Sequence, residues 1–144
     1  MAETIRKVEY FYVNVEDQPG EAYRILARFR RRNINLLAVN VFSGAPGESQ
    51  LDFFPEKPME LIEAAKELNT DLIGPKVAFL VQGEDKVGAL ADIYRKFHDA
   101  NINIHAANGA CDGEGHYSYI LWVRGNDIEA AEKALGIKNI ATAK

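Results

Sequence analysis

The sequence has 144 residues, 47% of them hydrophobic and 26% charged, with a net charge of -4. That composition belongs to a folded globular chain of one ordinary domain or two very small ones, not to a disordered one. The acidic balance argues against a nucleic-acid partner, which needs Lys and Arg gathered on one face, and no apolar run approaches the length of a membrane span. A single cysteine, Cys111, excludes an internal disulfide framework and any four-cysteine metal site. Residues 1–7 carry no apolar core of the secretory type, so the expected location is a reducing cytoplasm.

In chain order, residues 8–15 are rich in aromatic and β-branched side chains and predict a strand. Residues 17–20, Asp-Gln-Pro-Gly, predict a turn. Ala22, Ile25, Leu26 and Phe29 fall at i, i+3, i+4 and i+7 and predict a helix. Arg30, Arg31 and Arg32 suit its C-terminal end, where cations favour the dipole. Asn33 predicts its stop, because Asn tolerates the left-handed conformation just past a helix. Residues 36–42 and 49–54 predict two further strands around a hairpin loop at 43–47, residues 57–68 a second helix, and residues 71–73 a short closing strand. The breaker pair Gly74-Pro75 marks a boundary, giving domains at 1–74 and 75–144.

The second half repeats the first. Displacing the chain by 68 residues aligns Phe11 with Phe79, Val13 with Val81, Glu16 with Glu84, Asp17 with Asp85, Gly20 with Gly88, Ile25 with Ile93 and Phe29 with Phe97. The same shift lays Asn33-Ile34-Asn35 over Asn101-Ile102-Asn103, Ala38 over Ala106 and Asn40 over Asn108. Chance would give about two identities over such a stretch at ordinary residue frequencies. The second copy therefore predicts a helix carrying Leu90, Ile93, Tyr94 and Phe97 on one stripe. Strands are predicted at 104–111 and 117–123, a hairpin loop at 112–115, a helix at 127–135 and a closing strand at 137–141.

Strand-helix-strand-strand-helix-strand, twice, with right-handed crossovers, predicts an α+β fold: two ferredoxin-like sandwiches in tandem. Each has a four-stranded antiparallel sheet with both helices on one face. The strands are apolar on both sides, since Phe11, Val13 and Val15 alternate with Tyr10 and Tyr12, and Tyr117, Tyr119 and Leu121 with Ile120 and Trp122. The face away from the helices must also be covered, by the sister repeat or by a second chain, and a homodimer is expected.

This element order, with Asp-x-x-Gly before the first helix of each copy and Asn-Ile-Asn after it, resembles the ACT domain family, small regulatory modules that bind amino acids. Val87 stands where Pro is usual, and Asn33 and Asn101 where Gly is common. The resemblance implies a non-catalytic sensor of an L-amino acid, with the ligand held where domains meet side by side. The contacting positions would be Asp17, Gln18, Pro19, Gly20 and Asn35 in one copy, and Asp85, Lys86, Val87, Gly88 and Asn103 in the other. His105, two residues beyond Asn103, would line the second site. Because no catalytic domain shares the sequence, the responding enzyme or regulator would be a separate protein.

The chemistry suits such a ligand. A helix N-terminus offers unpaired amides to a carboxylate, glycine lets backbone approach, and an Asn side chain addresses both poles of an amino acid. Asp17 and Asp85 also read as helix N-caps, and Gly20 and Gly88 as turn formers only. No cofactor motif is present. Two other readings remain: a duplicated glyoxalase-like metalloenzyme using His105, His116 and Glu48, and a purely structural interaction module.

Overall fold

The computed structural model describes residues 3–137. Six strands and four helices run β1 (Thr4–Glu16), α1 (Glu21–Arg31), β2 (Leu36–Ser43), β3 (Glu48–Pro55), α2 (Pro58–Leu68), β4 (Ile73–Glu84), α3 (Ala91–Asp99), β5 (Ala106–Cys111), β6 (His116–Trp122) and α4 (Ile128–Leu135). A 3-10 turn, Gly125–Asp127, leads into α4. The chain divides into two compact units, one of residues 9–76 and one that joins the N-terminal residues through Val8 to residues 77 onward.

In the unit of residues 9–76, β3 pairs antiparallel with both β1 and β2, with Phe11 opposite Phe53 and Val13 opposite Leu51. The start of β4 closes the sheet beside β1. There Gly74 lies so near that an added Cβ would fall 2.9 Å from the Tyr10 carbonyl oxygen. Phe11, Val13, Val15, Leu51 and Phe53 face Ile25 and Phe29 of α1 and Leu61 and Ala64 of α2 in one core. The helix stripe is thus buried as its spacing requires. The closing strand begins at Ile73, so Asp71 and Leu72 lie outside it.

The second unit has the same plan. β6 pairs antiparallel with β4 and β5, with Phe79 opposite Leu121 and Val81 opposite Tyr119. Its core joins those residues to Ile93, Phe97, Ala131 and Leu135. The fourth strand comes from the beginning of the chain: Ile5 packs on this core. Lys7 Nζ meets Glu132 at 2.8 Å, and the Tyr117 hydroxyl donates to Glu3 at 3.0 Å. Strand β1 accordingly starts four residues before the predicted strand at 8–15. Residues 4–7, Thr-Ile-Arg-Lys, carry one aliphatic side chain, too few for the composition signal to register. The closing strand expected at 137–141 falls outside the described residues apart from Ile137, which follows α4.

Asn33 and Asn101 adopt φ of 59° and 58°. The Ile34 amide bonds the Phe29 carbonyl at 2.9 Å and the Asn33 amide bonds Arg30 at 3.0 Å; Ile102–Phe97 and Asn101–His98 repeat these bonds at 2.9 and 3.0 Å. This is the Schellman arrangement, with the apolar residue after the left-handed one folded back onto the helix end. It explains the first two residues of both Asn-Ile-Asn triplets. On the face away from the helices Phe54, Leu80, Ile120 and Trp122 are buried as well, as two-sided apolar strands demand.

Candidate functional site

The two turns preceding α1 and α3 are built alike. The Asp17 amide bonds the Gly47 carbonyl and the Asp85 amide bonds the Gly115 carbonyl, each at 2.9 Å. Each turn is thereby fastened to the hairpin of its own unit. Gly20 and Gly88 have φ of +96° and +75°, and a Cβ on either would meet nothing within 4 Å. Their role is the left-handed turn itself, not close approach to a neighbour. The N-cap reading of the aspartates does not hold. Gly20 and Leu90 occupy the cap positions, and neither helix has a side-chain cap. Instead Asp17 accepts a hydrogen bond from Ser49 Oγ at 3.2 Å, and Asp85 accepts one from the Cys111 thiol. Gln18 turns back to Glu16 at 3.2 Å, and Pro19 is exposed.

In the second unit the turn borders a cavity of about 380 Å³. Asp85, Lys86 and Gly88 form one side, Ala89, Leu90 and Ala91 the start of α3, Gly109, Ala110 and Cys111 the edge strand, and Tyr117, Ser118 and Tyr119 the neighbouring strand. Gly109 is what allows the floor to exist. A Cβ there would sit 2.4 Å from Tyr119 Cδ1 and 2.7 Å from the Ser118 carbonyl oxygen. The Tyr119 hydroxyl bonds that of Tyr94, and the Tyr117 hydroxyl bonds Glu3. Desolvation, reinforced by these bonds, pushes both phenols up to about 12. The Asp85 carboxylate, through its hydrogen bond first, with some desolvation and the charges of Asp85 and Asp112, holds the Cys111 thiol above its ordinary value. A thiol kept protonated is a poor nucleophile, and phenols kept neutral donate and stack.

Of the second copy's candidates, Asp85, Lys86 and Gly88 come together at this cavity. Val87 is fully exposed and does not line it. Asn103 and His105 lie beyond the far end of α3, a nine-residue helix whose axis spans about 14 Å. Both are exposed and both precede β5, so the expected strand at 104–111 starts two residues later, at Ala106. The first unit shows the same separation. Asn35 lines a cleft of about 370 Å³ with Leu26, Phe29, Arg30, Asn33, Ile34 and Leu36. Asp17 to Gly20 lie at the opposite end of α1, about 16 Å away along the axis. Within one unit, then, the turn and the second asparagine do not meet.

The metal reading fails on geometry. The His105 amide bonds Trp122 at the end of β6 at 2.7 Å, whereas His116 begins that strand and meets Asp112 at 3.4 Å. The two histidines are separated by the length of a seven-residue strand, about 20 Å. Among the described residues no three His, Cys, Asp or Glu side chains gather as metal ligands.

Gly109, Tyr117 and Tyr119 belong to no repeated motif. A glycine inside a strand pattern was the available signal, since it marks a close approach. The repeat also hides the asymmetry: the positions 68 residues earlier are Val41, Ser49 and Leu51.

Comparison with known proteins gives a family match for the second half of the chain. The ACT domain model matches residues 77–137, and curated protein sequences give no match. Among solved structures, a protein from Bacteroides thetaiotaomicron has a TM-score of 0.78 at 13% identity, covering 92% of this chain and 88% of its own. The regulatory subunit of aspartate kinase from Thermus flavus has a TM-score of 0.63 at 19% identity, with 94% of each chain covered. Its counterpart from Thermus thermophilus, in a ligand-free form, has 0.64 at 18%, covering 93% and 94%. At these identities the structures speak for the fold, which extends over both units. Residues 77–137, which carry the cavity at the glycine turn, match the ACT domain model, and the preceding half of the chain repeats the same α+β plan.

Proposed function

We propose that this protein is a non-catalytic regulatory sensor that binds a free L-amino acid in the cavity of its second unit. The observation that carries the proposal is the meeting, at that cavity, of the Asp85–Gly88 turn, the first residues of α3 and an exposed edge strand. An amino acid presents one anion, one cation and a side chain within a small volume. The α3 N-terminus and the Lys86 ammonium favour its carboxylate, and the Asp85 carboxylate favours its ammonium. Pro19, Gly20 and Gln18 at the matching turn, and Asn35, Asn103 and His105, remain candidates for contacts supplied across a domain interface.

A second copy would meet the chain at β5. All six of its residues are exposed, and none carries the charge or proline that ordinarily blunts an edge. Ligand binding would then favour one pairing of copies over another, and a separate enzyme or regulator would respond to the difference. Calorimetry with the twenty L-amino acids tests the reading: one or a few should bind in the micromolar to millimolar range. A uniform absence of heat and of thermal stabilisation would overturn it. Light scattering should show a dimer, with or without ligand.

A further inference from the structure

We infer that the ligand of this cavity is an amino acid with an uncharged, apolar side chain, and that Leu90, Gly109 and Tyr119 set this preference. The inference rests on the sensing reading above and adds the ligand class. The charged groups lie on one side, at Asp85 and Lys86, and the Ser118 hydroxyl is already engaged by Gln82 at 3.2 Å, while Ala89, Leu90, Ala91, Gly109 and the rings of Tyr117 and Tyr119 line most of the remainder. The polar tips of those rings are already engaged. One phenol bonds Tyr94 and the other donates to Glu3, so what they chiefly offer a ligand is the carbon surface of their rings.

The Cys111 thiol is turned to Asp85 in the same way. Lys86 has no ion-pair partner among the described residues, which leaves its ammonium for the ligand carboxylate. A charged ligand side chain entering the aromatic side would lose its hydration without finding a counter-charge. A hydroxyl there would lose water hydrogen bonds for no return. Leu90 is half-buried and packs on the core behind the cavity, so its position is fixed before ligand arrives. Tyr119 is fixed likewise by the contact that only a glycine at 109 permits.

The decisive experiment is titration calorimetry of the full chain against valine and threonine, which share a shape, and against leucine, phenylalanine, aspartate and lysine. Valine, or a larger apolar amino acid, should bind, with threonine roughly ten- to a hundredfold weaker than valine. Ala91→Phe, at an exposed lining position on the first turn of α3, should weaken binding at least tenfold while the melting temperature stays unchanged. Threonine within threefold of valine, or tightest binding by aspartate or lysine, would overturn the ligand class and leave the sensing reading standing. Undiminished binding by Ala91→Phe would overturn the assignment to this cavity. No binding by any amino acid would overturn the sensing reading itself.

Discussion

Gly109→Ala is the sharpest structural test of the cavity. The strand position does not require a glycine conformation; it requires space. The added methyl would lie 2.4 Å from Tyr119 Cδ1 and 2.7 Å from the Ser118 carbonyl oxygen. The ring can rotate away, but the carbonyl belongs to the paired strand and cannot move without disturbing the β5–β6 ladder. Overpacking of this kind costs about 1–3 kcal/mol. Displacing the ring also breaks the Tyr119–Tyr94 hydrogen bond, a further loss of about 1 kcal/mol. The expected destabilisation is therefore about 2–4 kcal/mol. At roughly 4 °C per kcal/mol for a chain of this size, the melting temperature should drop by about 8–16 °C. Urea unfolding followed by circular dichroism and by the fluorescence of Trp122, the single tryptophan, would measure it. Gly125→Ala is the control, since a Cβ there meets nothing within 4 Å and its φ is ordinary; it should change stability by less than about 0.5 kcal/mol. If Gly109→Ala were as mild as the control, the close packing of strand and ring, and the cavity floor that depends on it, would be wrong.

Asn101→Ala should cost about 1–2 kcal/mol, because alanine tolerates φ of 58° poorly, whereas Asn101→Gly should be neutral or slightly stabilising; chemical denaturation distinguishes them. Asp52 is 2% exposed, and desolvation raises its pKa against the smaller lowering by the Gln50 hydrogen bond. A carboxyl whose folded pKa is raised contributes most at low pH and loses that contribution as pH climbs through the folded value. Asp52→Asn should therefore raise the melting temperature at pH 7, and the gain should vanish in acid below about pH 4. Tyr117 and Tyr119 titrate near 12 when folded and near 10 when unfolded, so stability should fall between those values as pH rises. Tyr119→Phe should reduce that fall, as read by melting curves in alkaline buffers.

Most of the fold was legible in the residues. Two helix stripes, Ile25 with Phe29 and Ile93 with Phe97, carry their period into the cores unchanged. The asparagines after them stop each helix by a backbone preference that is local and therefore readable. Strand limits were less legible where the cause is not local. Residues 4–7 form strand because they pack on a unit that is completed more than 70 residues later, a contact without a sequence period. The site was half legible. Asp85, Lys86 and Gly88 could be found because the motif recurs. Gly109, Tyr117 and Tyr119 break the repeat, so the glycine inside a strand pattern is the one mark they carry. The cap role expected of the aspartates failed for a similar reason: the hydroxyl of Ser49 and the thiol of Cys111 reach those carboxylates from other strands.

The division of β1 between the units makes residues 4–8 and the segment after residue 76 interdependent. Residues 4–8 complete a sheet whose other members are encoded after residue 76, while residues 9–16 serve the half they directly precede. A cut at the Gly74-Pro75 junction would yield an upstream fragment carrying a surplus strand and a downstream fragment lacking one. Removing residues 1–8 should harm the unit of residues 77 onward before it harms the unit they immediately precede. Mixing the two fragments offers a route to reassembly, in which recovery of the downstream half reports on the donated segment.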